Sequence, residues 1–385
     1  MLVYLDNSAT TRARDKVIDE MNIMLKRDYG NPSSLHRMGL NVEKRIKEAR
    51  NIISDYLNVK KEEIFFTSGG TESNNLAIQG IINKYNKKGK HVITSKIEHS
   101  SVLNVFSKYE KMGYDVTYLD INNDGTINLE QFKKEIREDT ILVSIMMVNN
   151  ETGTIQPIEE VKKIIKGKNP EIKLHVDGVQ AFSKIEFNIN KLDVDTFSFS
   201  SHKIHGPKGI GGIYIKKDLN INPIFYGGNQ EMGLRSGTEN TPGIIGLGKA
   251  VDILRKSGRK EREEIKKLKN YFLTKVEENI DDIRINSFKD DRCSSHIANI
   301  SFLNIKGEVL LHFLEDDDIY VSTGSACSSK EKTGSHVLKA MKLSDEEIEG
   351  AIRFSFSFYN TKEQIDYAIE RLKERVEEIR DIMMR

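Results

Sequence analysis

The chain has 385 residues, of which 38% are hydrophobic and 30% charged, a composition typical of a soluble globular protein. Its 59 Lys and Arg residues nearly balance 58 Asp and Glu residues, so net charge gives no reason to expect binding to nucleic acid or to an anionic membrane. Neither a membrane span nor a signal peptide is expected, because no apolar run is long enough and the N-terminus lacks a basic segment followed by an apolar one. Two cysteines, Cys293 and Cys327, form no disulfide framework and suit a reducing cytosol.

Predicted strands alternate with helices over the first 250 residues. These strands are 63–67, 91–96, 115–120, 141–149, 173–177, 196–201 and 211–216. Several are almost continuously apolar, which is typical of a sheet that is covered on both faces. The alternation therefore predicts an α/β fold with a mainly parallel sheet, whose ligands lie at the carboxyl ends of the strands.

The pattern changes near residue 255. A charged segment with apolar residues at helical spacing predicts a long helix that leads into a second domain; these residues are Ile265, Leu268, Phe272 and Val276. Strands are predicted at 299–304, 319–323 and 351–357, and a closing helix from about Thr361. Because one hydrophobic core rarely serves so long a chain, we expect a large domain (15–255) and a smaller α+β domain (1–14 and 256–385).

Three motifs follow predicted strands in the first domain. In "TSGGTES" (67–73) two glycines turn the chain into a helix, whose N-terminus favours a phosphate, although a plain capped turn also fits. In "HVDGVQ" (175–180) Asp177 ends a buried strand, where it suits either a protonated ring nitrogen or a helix cap. Lys203, in "SFSSHKIHGPKGIGG", ends another strand, where a lysine must be paired, deprotonated or covalently used. Together these motifs describe a pyridoxal phosphate (PLP) site.

Eight motifs extend this interpretation over nearly the whole chain. They are "GGTESNNLA", "EHSSVL", "VNNETG", "HVDGVQ", "SFSSHKIHGPKGIGG", "RSGTEN", "STGSACSS" and "AIRFSFS". In order and approximate spacing the chain resembles the cysteine desulfurases of the NifS/IscS type, in the class V aminotransferase branch of the fold-type I PLP enzymes. The resemblance implies a large domain with a mainly parallel seven-stranded sheet and a smaller α+β domain.

The resemblance also implies roles for individual residues. Lys203 binds PLP as a Schiff base and moves protons, Asp177 keeps the ring nitrogen protonated, and Gln180 bonds the ring hydroxyl. His99 stacks on the ring and moves protons, and Arg353 binds the substrate carboxylate through two hydrogen bonds. Asn150 contacts both the cofactor and the substrate. The PLP phosphate is bound by Gly70, Thr71, Ser200 and His202. In a homodimer, Thr238 contacts the phosphate of the neighbouring subunit.

Cys327 lies in a small, polar segment (322–335) without hydrophobic periodicity, which predicts a mobile loop. A cysteine is more often a small core residue, but a Gly/Ser-rich loop argues against that here and favours an exposed nucleophile. The resemblance implies that Cys327 attacks the sulfur of PLP-bound L-cysteine. Cys293 has no such counterpart and is expected to be incidental. No metal site is expected, because the histidines and cysteines lack ligand spacing.

The sequence therefore predicts a cytoplasmic, homodimeric cysteine desulfurase that releases L-alanine and holds sulfur as a Cys327 persulfide. The sulfur acceptor stays open among iron–sulfur scaffolds and enzymes that thiolate tRNA or cofactors. A selenocysteine lyase or a transaminase on the same scaffold is an alternative, and a transaminase has no use for Cys327. A silent partner in a sulfur-transfer assembly is disfavoured by the retained site residues, and a nucleotide-binding protein by the missing phosphate-loop and dinucleotide motifs.

Overall fold

A computed structural model describes residues 1–324 and 334–383 of the chain. The strands are β1 (Val3–Tyr4), β2 (Ile64–Thr67), β3 (His91–Ser95), β4 (Asp115–Leu119), β5 (Thr140–Met146), β6 (Lys173–Asp177), β7 (Thr196–Ser200), β8 (Gly211–Ile215), β9 (Ile283–Ile285), β10 (Ile297–Phe302), β11 (Ile319–Tyr320) and β12 (Ala351–Ser355). The helices are α1 (Asp15–Lys26), α2 (Arg37–Leu57), α3 (Gly70–Tyr85), α4 (Ser100–Lys111), α5 (Leu129–Glu135), α6 (Ile158–Lys168), α7 (Ile189–Leu192), α8 (Thr241–Asn279), α9 (Gly307–Asp316), α10 (His336–Ala340), α11 (Asp345–Glu349) and α12 (Lys362–Met383).

The central sheet has seven strands in the order β2-β8-β7-β6-β5-β3-β4. Strand β8 runs antiparallel to β2 and β7, while the pairs among β7, β6, β5, β3 and β4 are parallel. The predicted mainly parallel, seven-stranded sheet is therefore confirmed. Strand β5 is buried along its whole length, which explains why its sequence reads as a continuous apolar run.

A second sheet joins β12, β10 and β9 in antiparallel order, and β1 pairs in parallel with β11. The predicted strands 319–323 and 351–357 are too long, since β11 ends at Tyr320 and β12 at Ser355. Beyond β11 the ladder is reduced to a single bridge between Ser322 and Arg353. Asp6 forms a further bridge with Ser355, which carries the N-terminal segment to the end of β12.

Helix α8 begins at Thr241, so the predicted start near residue 255 is wrong. Its first turns are rich in Gly and Pro, residues that disfavour a helix by propensity. Tertiary structure accounts for the difference. The Asn240 side chain caps the helix by accepting from the Gly243 N–H at 3.1 Å. A Cβ at Gly248 would lie 2.7 Å from that of Ala49, so glycine permits α8 to pack closely on α2.

Two hydrophobic clusters divide most of the interior. The first surrounds the central sheet with α1, α2 and the first half of α8, and it also takes in Val337, Leu338 and Ala351. The second joins β1, β10, α9 and α12 to the later part of α8. The predicted apolar faces of the two long helices lie in the second cluster; they include Ile265, Phe272, Val276, Ile365, Ile369, Leu372, Val376 and Ile379. Within residues 1–324 and 334–383, every helix is too short or too polar to cross a membrane.

Candidate active site

A cavity of about 240 Å³ opens where β5, β6 and β7 end and α3 begins, and we call it the active-site cavity. It brings together most of the predicted site residues, namely Gly70, Thr71, His99, Asn150, Asp177, Gln180, Ser200, His202, Lys203 and Arg353. Thr238 is exposed and does not line it. Cys327 lies outside the described residues. The carboxyl ends of parallel strands meet at one edge of the sheet, which is why motifs far apart in sequence converge here.

Asp177 is the last residue of β6 and is 5% exposed. Its Oδ2 accepts a hydrogen bond from Asn74 Nδ2 at 2.7 Å, and its Oδ1 accepts from the Val179 N–H at 2.9 Å. Both carboxylate oxygens thus accept a hydrogen bond, which fixes the group at the cavity wall. A carboxylate at this position can accept a hydrogen bond from a protonated ring nitrogen.

Asn74 is a site residue that the sequence analysis did not predict. Its Oδ1 accepts from the Ser198 hydroxyl and from His175 Nε2 at 3.1 Å, and these contacts orient its amide group toward Asp177. Burial lowers the pKa of His175 to about 3, so the ring is neutral. The available signal was helical spacing, since Asn74 stands one turn after Gly70 and Thr71 and therefore faces the same way.

No side chain in the described part of the chain caps the N–H groups at the start of α3, where Gly69 is the N-cap. A Cβ at Gly70 would lie 2.6 Å from Val179 Cγ2, so only glycine permits this close approach. Ser200 Oγ lies on the same cavity, buried and without a hydrogen-bond partner among the described residues. A helix N-terminus beside an unpaired hydroxyl is a suitable site for a phosphate group.

His202 and Lys203 follow β7 in a short helical turn, Ser201–Lys203. His202 Nδ1 lies 3.2 Å from Thr10 Oγ1, and burial lowers its pKa to about 4, with a further lowering by Lys203. Lys203 Nζ donates to the carbonyls of Ser8 and, at 2.8 Å, Ala9. The lysine therefore enters the cavity against the N-terminal segment, a contact that no motif indicated.

His99 caps α4 through its own ring. Its Nδ1 accepts from the Ser101 N–H at 3.1 Å, which assigns the proton of the neutral ring to Nε2. Burial lowers the pKa of His99, Lys203 lowers it further, and Asp177 acts in the opposite direction. The site thus holds a neutral imidazole with Nε2 as its proton-carrying nitrogen.

Arg353 lies in β12 and is 2% exposed. Its Nη1 donates to the Asn150 carbonyl at 3.0 Å and its Nη2 donates to Asp6 Oδ1 at 2.8 Å. Its Nε is buried without a partner in the described part of the chain. The guanidinium is thus held at the cavity wall and can still donate hydrogen bonds to a ligand. Asp6, 347 residues away, was not predicted, because only the pairing of the two chain ends brings it here.

Gln180 is held at both ends of its amide. Its Nε2 donates to the Ser8 carbonyl at 3.0 Å, and its Oε1 lies 3.1 Å from His296 Nε2. Burial keeps the pKa of His296 well below its ordinary value, so this ring is a neutral donor. The amide still has a second N–H to offer to a ligand.

Comparison with known proteins shows which family this chain resembles. Residues 3–368 match the family model described as aminotransferase class-V. The cysteine desulfurase IscS of Dictyoglomus turgidum is 44% identical over 380 residues, which cover 99% of this chain and 96% of that protein. A solved NifS-like protein has a TM-score of 0.92 at 40% identity and covers 98% of this chain and 100% of its own. A structure described as SspA in complex with cysteine has a TM-score of 0.81 at 35% identity, with 93% and 100% covered.

Proposed function

Because the chain belongs to the class-V aminotransferase family, and within it to the cysteine desulfurases of the IscS type, we propose that it is a PLP-dependent enzyme that removes sulfur from L-cysteine. The products are L-alanine and a persulfide on Cys327. One observation carries the proposal: a single cavity holds a lysine, a buried carboxylate, a neutral imidazole and a guanidinium; these are Lys203, Asp177, His99 and Arg353.

The residues at the cavity fit PLP. Three groups suit the phosphate: the neutral His202 ring, the Ser200 hydroxyl and the N-terminus of α3, of which the last two have no side-chain partner among the residues that the structure describes. The Asp177 carboxylate suits the protonated ring nitrogen, Gln180 the ring hydroxyl, and Lys203 a covalent bond through Nζ. When bound, PLP supplies an electron-accepting ring that stabilises negative charge on the substrate's α-carbon.

The substrate is positioned by Arg353 and Asn150. The guanidinium matches a carboxylate in shape and charge, and its bonds to Asp6 and the Asn150 carbonyl keep it from rotating away. Lys203 and His99 exchange protons with the substrate. Because burial keeps the pKa of the ring low, His99 is neutral at physiological pH; its Nε2–H can donate a hydrogen bond to a substrate atom, and the ring moves a proton only by accepting one as a base and then returning it.

The sulfur step transfers one atom. The Cys327 thiolate attacks the substrate sulfur, a sulfur–sulfur bond forms and the substrate's Cβ–S bond breaks. The electron pair stays with the β-carbon, which then takes a proton. L-cysteine and a thiol thus become L-alanine and a persulfide, with no outside oxidant. Cys327 lies outside the described residues, and its role rests on the family resemblance. The persulfide sulfur passes to an acceptor protein, such as an iron–sulfur scaffold or a thiolation enzyme.

The residues that bind the cofactor and those that bind the substrate carboxylate lie in two different lobes of the chain. The large lobe, residues 15–255, carries Lys203 and Asp177, and the small lobe, residues 1–14 and 256–385, carries Arg353 and Asp6. The two hydrophobic clusters support this division, although Val337, Leu338 and Ala351 pack with the first cluster. The cofactor is then held by one lobe and the substrate carboxylate by the other.

A homodimer accounts for two surface features. Large apolar side chains are exposed at Tyr29, Leu35 and Tyr226, with Leu35 at 93%. Exposed Thr238 follows Arg235, whose Nε donates to Glu72 in the first turn of α3 at 2.9 Å. This segment therefore lies beside the phosphate end of the site, where Thr238 would reach the phosphate of the second subunit.

The test adds L-cysteine to the purified holoenzyme and follows alanine, sulfide and protein-bound persulfide together. We expect alanine and persulfide to appear in equal amounts before an acceptor is added. Alanine without persulfide would instead indicate a lyase, and a keto acid without alanine would indicate a transaminase.

A further inference from the structure

A second cavity, which we call the rear cavity, has a volume of about 540 Å³. It lies between the start of α6, residues 184–188, the middle of α8 and residues 291–295. No described residue lines both cavities. Met146 and Val148 face the active-site cavity and Met147 faces the rear cavity, so the chain following β5 separates the two.

The charged side chains of the rear cavity are almost all paired. Glu186 pairs with Arg262 at 2.6 Å and Asp291 with Lys266 at 2.5 Å. The other acidic groups pair with basic groups outside the lining, namely Glu159 with Lys191, Glu160 with Lys163 and Glu263 with Arg259. Among the described residues, Lys184 is the exception, because it makes neither a side-chain hydrogen bond nor an ion pair.

Lys184 is 6% exposed and lines the rear cavity. Burial lowers its pKa to about 8; Glu261 acts in the opposite direction and Arg14 in the same direction. Glu261 is already paired with Arg14 at 2.6 Å, so it is a shared and weakened counterion. The nearby His205 and His296 are neutral, because burial holds the pKa of each well below its ordinary value. A buried ammonium without a dedicated anion is unfavourable unless a ligand supplies one.

We propose that the rear cavity binds a small organic monocarboxylate with an apolar body, and that the Lys184 ammonium is the charge partner of its carboxylate. The walls suit an apolar body, since they include Met147, Ile155, Pro157, Ile158, Ile185, Phe187 and Leu192. The charge balance selects a single negative charge. Each of the cavity's five acidic groups has a basic partner, so among the described lining residues Lys184 is the one unmatched charge, and one carboxylate is enough to balance it.

This proposal does not rest on the proposed function, but its test must exclude the active site, where Arg353 also suits a carboxylate. The probe is 4,4,4-trifluorobutyrate, and its binding to the holoprotein is followed by fluorine NMR. All proteins carry Arg353→Ala. We expect binding to the Arg353→Ala protein, loss of at least about tenfold in affinity when Lys184→Met is added, and no loss when Lys266→Met is added. Lys266 is the matched control, because it lines the same cavity but is paired with Asp291.

Three outcomes would overturn the proposal. The probe could bind only when Arg353 is intact, it could bind equally well without Lys184, or neutral 4,4,4-trifluorobutanol could bind as tightly as the acid. A second measurement does not depend on the folding of variants. In the protein with Lys184 intact, the probe should protect Lys184 from acetylation by acetic anhydride, read by peptide mass spectrometry, while Lys266 reacts as before. Unchanged acetylation of Lys184 at saturating probe would also contradict the site.

Discussion

Replacing Lys184 by methionine should make the protein more stable. The two side chains are similar in length, and methionine removes the buried ammonium while keeping the apolar contacts of its stem. The folded-state pKa of Lys184 is about 8, against about 10.4 for an unperturbed lysine. The unfolded chain therefore binds more protons between these two values, and the stability of the wild type rises with pH across that window.

The size of the effect follows from the two pKa values. At pH 7 the lowered pKa of Lys184 reduces the free energy of unfolding by about 3 kcal/mol, which is nearly the full effect of the shift. At pH 9 the reduction is about 2 kcal/mol. The free energy of unfolding of Lys184→Met should therefore exceed that of the wild type most at or below pH 7, and the difference should decrease above pH 8. These figures are upper values, because a bound anion or water entering the rear cavity would reduce the cost of the charge.

The assay is urea unfolding of the holoprotein at pH 7 and pH 9, with Lys266→Met as the matched control. The Lys266 side chain is 44% exposed and paired with an almost fully exposed Asp291, so its replacement should change stability by less than about 1 kcal/mol at either pH. The reasoning is refuted if Lys184→Met is less stable than the wild type at pH 7. It is also refuted if the difference between the two proteins is the same at both values of pH.

Three further predictions concern the active-site cavity. Borohydride should fix the cofactor to the peptide that contains Lys203, and mass spectrometry that finds it on another lysine would contradict the assignment. Arg353→Lys should raise KM for L-cysteine because lysine lacks the two-pronged guanidinium, and Arg353→Ala should cost about 2–5 kcal/mol in binding; an unchanged KM in both would remove Arg353 from the substrate site. Asn74→Ala should weaken PLP binding at least about tenfold in an absorbance titration, because Asp177 loses a donor, whereas Asn75→Ala should not; equal affinities would show that the Asn74 contact is dispensable.

The sequence could predict the residues whose positions follow from strand ends. Asp177, Ser200 and Lys203 close predicted strands, and a parallel sheet brings such ends to one edge. Asp6 and Ser8 could not be predicted, because their contacts depend on the N-terminal segment returning to β12 and to the turn after β7. No local pattern encodes that return.

The start of α8 and the environment of Lys184 are two further features that local sequence patterns do not predict. The start of α8 at Thr241 was missed because its glycines disfavour a helix in isolation, and only packing against α2 makes them useful. Lys184 stands among apolar residues in "QAFSKIEF", which suggests a snorkelling side chain on a solvated face. Within residues 1–324 and 334–383 it has no partner, because the neighbouring charges of the rear cavity are already paired with one another or with groups outside it.

The central claim is that sulfur from L-cysteine is held on Cys327, and the two cysteines of the chain allow a direct test. Cys293 is the matched control: it is 6% exposed, its Sγ donates to the Thr152 carbonyl at 3.2 Å, and Lys269 Nζ lies 3.2 Å from it. Cys327→Ser and Cys293→Ser holoenzymes are each given L-cysteine, and persulfides are mapped by mass spectrometry while alanine is assayed. The account predicts that Cys293→Ser forms persulfide and alanine like the wild type, and that Cys327→Ser binds PLP and L-cysteine but forms neither product. A persulfide in Cys327→Ser that is lost in Cys293→Ser, or alanine released at the normal rate by Cys327→Ser, would contradict it.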